Sequence, residues 1–174
     1  MTETIDEATT RATRILGEND YVALSTVDEN GPWAAVVAYS TSPPCFLYFM
    51  SRRDSRHARA IEQDPRVAGV AYDSAVTPDD ADSVQFSGTC EEVSDEDLAR
   101  RFLEQTAHLT DKTPEEELAE FRGDDDLRLY RVTVADTYVL DQEKWIEQGL
   151  DARKEALTTK AFAMVADHYA IRTR

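Results

Sequence analysis

Lysine is scarce in this chain. Only four of the 19 basic residues are lysines (Lys112, Lys144, Lys154 and Lys160), against 35 Asp and Glu, for a formal net charge of −16 over 174 residues. So acidic a surface argues against nucleic acid and anionic membrane as partners. Long apolar runs are missing too: no window reaches the roughly 18 consecutive apolar residues of a membrane-spanning helix. The opening MTETIDEATTRATR lacks the apolar stretch of a secretory leader, so a cytoplasmic protein is expected. The two cysteines, Cys45 and Cys90, stand alone in strand-like sequence without CxxC or metal spacing, and read as reduced, buried thiols. His57, His108 and His168 are too scattered for a metal set, and no GxSxG, Walker or GxGxxG motif occurs. Asp124-Asp125-Asp126 lacks a calcium-loop frame and reads as a solvated turn.

Acid, by contrast, is abundant, in the tracts PDDADS, SDEDLA, PEEELAE and GDDDL. Two readings are open: ordinary solubility, or adaptation to high salt, which retained Arg with little Lys favours. The length suits one domain with a real core. Residues 4–18 place Ile5, Ala8, Ala12, Ile15 and Leu16 at helical spacing. Strands are expected at YVALSTV (21–27), PWAAVVAYST (32–41), CFLYFM (45–50), VAGVAY (67–72), VQFSGTCEEV (84–93) and LRLYRVTVADTYVL (127–140). Asn30-Gly31 marks a hairpin turn, and Gly88 a bulge or close backbone approach. Residues 75–83 read as a polar loop. Short helices are expected over 58–63, after a capping box from Ser94 to Asp97, and from Thr113-Pro114 to Gly123. A last helix over 150–170 aligns Leu150, Leu157, Ala161, Met164 and His168. The order implies a mainly β protein, a six-stranded antiparallel barrel with accessory helices; the first three strands leave no room for parallel crossovers.

Basic residues concentrate in one place, FMSRRDSRHARAIEQDPRV (49–67). Ser55 is a candidate N-cap, which puts Arg56, His57 and Arg59 in the first turn of a helix, where each cation is disfavoured by roughly 0.3–1 kcal/mol. A bound anion would resolve the conflict, since helix N-termini and Arg forks both suit phosphate. Pairing with nearby carboxylates would resolve it equally.

The same stretch resembles the pyridoxamine 5′-phosphate oxidase-like, FMN-binding split-barrel proteins. Their third strand runs into a Ser or Thr, then a Ser-Arg-Lys-like step, then a short helix ending Asn-Pro-Arg-Val; here these are Ser51, Ser55-Arg56-His57-Ala58 and Gln63-Asp64-Pro65-Arg66-Val67. The opening helix, first three strands, VQFSGTCEEVSDEDLARRF and LRLYRVTVADTYVLD follow in the family's order, over roughly residues 3–145. The resemblance implies an FMN-binding domain over 1–145, with 146–174 a helical extension packed on the barrel or on a partner. It implies an FMN phosphate held by Ser51, Arg56 and His57, the last standing where Lys is commoner. It implies a flavin ring bordered by the backbone of Ala35, Val36, Val37 and Ala38, a polar contact from Gln85, and a cover from Trp145. It implies a homodimer with flavin between the barrels, strands 33–39 and 45–50 offering apolar surface, and hydride or electron transfer to an unknown small molecule. No catalytic acid or base, and no metal, is assigned. The tail KWIEQGLDARKEALTTKAF lacks the Arg and His with which the true oxidases bind substrate phosphate, so the chain looks like a separate branch. Two alternatives remain: a deazaflavin-dependent reductase of the same fold, and a flavin- or heme-binding stress-associated protein without turnover.

Sixteen excess negative charges repel one another over about 30 Å at 0.01 M salt but only about 3 Å at 1 M. On the high-salt reading, melting temperature therefore rises from about 0.05 to about 3 M KCl. A flat or falling curve leaves the acidic surface as ordinary solubility.

Overall fold

The computed structural model describes residues 6–77, 82–122 and 126–172, with side chains as far as residue 166. Ile5, residues 78–81 of the polar loop, residues 123–125 and the side chain of His168 lie outside the described residues. Helix α1 (Glu7–Glu18) starts where the Asp6 carboxylate accepts a bond from the Thr9 amide at 2.6 Å, and it buries Ala8, Ala12, Ile15 and Leu16. Strands β1 (Tyr21–Asp28) and β2 (Gly31–Ala38) form the expected hairpin. Its turn is centred one residue early, on Glu29-Asn30: Asp28 pairs with Gly31, whose φ of 103° glycine takes without strain.

The second expected strand is interrupted. Tyr39 leaves the ladder, its amide bonding the Asp20 carbonyl and its hydroxyl donating to the Leu16 carbonyl at 2.9 Å, so β3 (Ser40–Ser42) is a separate strand. Then come β4 (Phe46–Arg52), α2 (Arg56–Gln63), β5 (Arg66–Tyr72) and β6 (Ser83–Val93). Helix α3 (Glu96–Thr106) is capped by Asp95 rather than Ser94, the Asp95 carboxylate accepting from the Leu98 amide at 3.0 Å. A 3₁₀ turn (Ala107–Leu109) leads to α4 (Pro114–Arg122), where Thr113 and Glu116 cap each other reciprocally. After β7 (Leu127–Leu140), Asp141 caps α5 (Gln142–Gln148), and Gly149 at φ 63° ends it. Residues expected to be helical from 150 instead enter β8 (Arg153–Ala156), and α6 (Thr158–Arg172) follows.

All strand pairs are antiparallel, in the order β2-β1-β5-β6-β7-β4-β3, with β8 also on β7. The result is the expected mainly β split barrel with accessory helices, carrying two more strands than the six foreseen. One edge of β7 pairs with β6; the other pairs with β4 over its first half and with β8 over its second. The main core gathers α1, α2, α6 and the inner faces of the strands, with Phe49, Leu47, Leu24, Val132 and Phe162 fully enclosed. A smaller cluster of Tyr48, Ala99, Phe102, Leu103, Leu118 and Leu129 lets α3 and α4 cover the outside of β4 and β7. Among the described residues, no helix is long and apolar enough to cross a membrane.

The outer face of β2, β1 and β5 stays open. Cross-strand pairing puts Val36 beside Ala23 and Val70, and Ala34 beside Ser25 and Ala68. Val36 is 72% exposed, and Tyr21, Val27 and Tyr72 about half exposed. Surface of this kind was expected on 45–50 as well, but Leu47, Tyr48 and Phe49 are buried, by the barrel core on one side and α3 on the other.

Gly88 sits at the bulge anticipated for it: pairing skips between Ser87 and Gly88, and a Cβ there would lie 2.3 Å from the Thr133 carbonyl oxygen. Backbone cannot yield as a side-chain tip does, so Gly88→Ala should destabilise by about 1–3 kcal/mol, a loss of roughly 2–12 °C in Tm. Gly149→Asn, at a left-handed helix end with nothing within 4 Å of the added Cβ, should melt close to the native chain.

Candidate functional site

The turn from β4 into α2 assembles the polar groups singled out by sequence. Ser51 is the last residue but one of β4, with its side chain toward α2, and Ser55 caps that helix, accepting from the Ala58 amide at 3.3 Å. His57 Nε2 lies 2.7 Å from Ser51 Oγ and 3.2 Å from Ser55 Oγ, and the two hydroxyls are 3.2 Å apart. The imidazole rests against Phe49, and burial lowers its pKa from the ordinary 6.5. His57 is therefore neutral at pH 7, where a lysine would be charged.

Arg56 turns away from this trio. Its Nε donates to Asp28 Oδ2 at 2.7 Å and its Nη2 to Asp28 Oδ1 at 3.0 Å, with the guanidinium over the Trp33 ring at 4.4 Å. Arg52 pairs with Asp54 and Asp126, Arg53 with Glu92, and Arg59 bonds the Asp54 carbonyl. Carboxylates and a carbonyl thus offset the cations at this helix start. A depression of about 270 Å³ between the β1–β2 turn and α2 is lined by Asp28, Asn30, Arg56 and Arg59. Asp28 and Trp33 were not foreseen, because nothing local in the sequence ties them to Arg56.

The donor set suits a phosphate: two hydroxyls, an imidazole, an Arg and the first amides of α2. Asp28 is the acid set against it. Along β2, Ala35 is half-buried and Val37 turns into the core at 7% exposure, while Val36 points outward. Only the backbone of Ala35–Ala38 and the outer side chains can therefore border a ligand. Gln85 and Trp145 lie elsewhere. Ser51 pairs with Arg128 and Gln85 with Tyr138, ten positions apart on β7, or roughly 33 Å along the strand. Gln85 Oε1 accepts from Arg153 Nε at 2.8 Å. Trp145, half exposed on α5, lies beyond the same far end of β7. One chain does not bring these two to Ser51.

Two other features are set apart from this turn. A cavity of about 740 Å³ lies between β3, α3 and α6 and is lined by Asp20, Thr41, Tyr48, Arg101, Phe102 and His108. None of the residues named for the cofactor reaches it, so size alone does not make it the site. Cys90 is buried, its thiol pushed up to about 12, and is no nucleophile; Cys45 is half-buried, and both are free.

Fold and site together define a split barrel with a phosphate-suited turn between its fourth strand and second helix. The chain belongs to the pyridoxamine 5′-phosphate oxidase family, whose model matches residues 8–141. No curated protein matches it in sequence. Among solved structures it is similar to General Stress Protein 26 from Bacillus anthracis str. Sterne, at 20% identity and TM-score 0.59 over 76% of this chain and 93% of that one. A heme binding protein from Mycobacterium smegmatis matches at 18% identity and TM-score 0.61, over 92% of this chain and 62% of that one. A FAD-binding protein from Mesorhizobium loti matches at 18% identity and TM-score 0.60, over 76% and 91%. Likenesses at this identity establish the fold.

With its folded-state pKa below 6.5, His57 binds fewer protons folded than unfolded across that interval, so stability there rises with pH. The contribution of neutral His57 is complete above about 6.5 and is lost as pH falls through the folded value. Melting temperature measured from about pH 7.5 down to about pH 5 should accordingly fall less for His57→Gln than for the native chain. Parallel curves would show that burial of His57 has no such effect.

Proposed function

We propose that this protein holds FMN between two copies of the chain and passes hydride or electrons to a small molecule. The observation that carries the reading is the convergence of Ser51, Ser55 and His57 on the first turn of α2, in a family member, with Arg56 one residue away. FMN bound there supplies the redox chemistry. Ser51, Ser55 and His57 bond its phosphate, Arg56 adds charge, and the backbone of Ala35–Ala38 lies beside the ring and excludes water. A homodimer would reconcile the spacing along β7 with the expected roles of Gln85 and Trp145, which would then reach a ligand at Ser51 from a second copy. The largely apolar outer face of β2, β1 and β5, with Val36 and half-exposed Tyr21, Val27 and Tyr72 and with the ion-paired Arg66 at its rim, offers a surface for that copy in an otherwise acidic molecule. The FAD-binding neighbour supports a flavin, and a deazaflavin bearing a phosphate would meet the same groups. The heme binding neighbour, whose likeness spans 92% of this chain, favours heme as a second reading. In that reading His57 would have to leave Ser51 and Ser55 to ligate iron.

Absorbance of the purified protein and titration of the apo-protein with FMN test the cofactor; light scattering tests the assembly. Flavin bands or micromolar FMN binding, with a mass about twice 19.6 kDa, are expected. Val36→Arg, which puts a charge on the open face, should give monomer and lower FMN affinity together. A Soret band, or a native monomer that holds FMN tightly, would overturn the reading.

A further inference from the structure

Arg56 brings a permanent charge to the first turn of α2, beside Ser51, Ser55 and His57 in sequence, and a carboxylate already holds it. We propose that Asp28 masks Arg56 and so limits how tightly the site grips a phosphate-bearing cofactor. The proposal rests on the flavin reading above and concerns a residue to which the family resemblance gives no role.

Asp28 is fixed by the hairpin. It ends β1, its side chain is 11% exposed, and Oδ1 accepts from the Asn30 amide at 2.8 Å as well as from Arg56. Its bond to Arg56 holds its pKa below the ordinary carboxylate value, so protonation does not lift the mask near neutral pH. Two donors of the guanidinium, Nε and Nη2, point at Asp28. The pair is close to neutral as a unit, and an incoming phosphate meets the repulsion of Asp28 along with the attraction of Arg56. His57, neutral at pH 7, does not make up the charge. Asp28 is also not needed to aim Arg56, because the stack on Trp33 and the start of α2 already place the guanidinium. Removing the carboxylate charge therefore takes away repulsion and little positioning.

The test is the full chain and Asp28→Asn, titrated with FMN and with riboflavin, which lacks the phosphate, at one salt concentration and pH 7.5. The FMN dissociation constant should fall roughly tenfold in Asp28→Asn, with riboflavin unchanged. Arg56→Ala should weaken FMN binding more in the Asp28→Asn background than in the native one, because only there is the guanidinium unmasked. Equal FMN affinity in both chains, an equal gain for both flavins, or additive effects in the double variant would overturn the mask while leaving the flavin reading intact. Binding of neither flavin by either chain would overturn both. Melting curves check folding, and Asp28→Ser, which keeps an acceptor for the Asn30 amide, stands in if Asp28→Asn is unstable.

Discussion

The barrel is referred throughout to β7. Backbone N–H and C=O groups on both edges of a buried strand must be paired, and fourteen residues are too many for one partner on each side. β7 meets the requirement with three: β6 along one edge, β4 and then β8 along the other. This fixes the spacing of the residues singled out from the sequence. The Ser51 turn belongs to the β4 half of the strand, and Gln85, Arg153 and Trp145 to the β8 half.

Charge imposes the second constraint. Arg56 and Arg59 stand where the helix dipole disfavours cations; Asp28 pairs with Arg56 and the Asp54 carbonyl accepts from Arg59, while Asp54, Asp126 and Glu92 pair with Arg52 and Arg53 just before the helix. The pairing and anion readings of the basic stretch are therefore not exclusive. Pairing stabilises the turn, whereas the hydroxyls of Ser51 and Ser55 and the neutral imidazole bond one another and stay suited to an anion.

What was legible in the sequence was local. The α1 stripe, the β1–β2 hairpin, the Ser55 cap and the Gly88 bulge each depend on residues a few positions apart, and composition alone reveals them. What was hidden depends on distance along the chain. Arg56 finds Asp28 across 28 residues, and Arg153 finds Gln85 across 68. β8 is four residues long, too short to announce a strand, and forms because the upper half of β7 needs a partner. The break at Tyr39 comes from bonds to Asp20 and Leu16 that no alternation pattern contains. The Asp95 cap differs from Ser94 by one position, a choice two adjacent capping residues leave to the packing of α3.

The meeting of α1 with β8 and α6 bears on how the molecule is made. The Leu157 amide bonds the Thr9 hydroxyl, and Ala156, Phe162 and Val165 fill the same core as Ala8, Ala12 and Ile15. Helix α1 is made before residues 153–165, which cover part of its apolar face. Until those residues emerge, the nascent chain holds a barrel with the β8 edge of β7 unpaired, an interval open to aggregation.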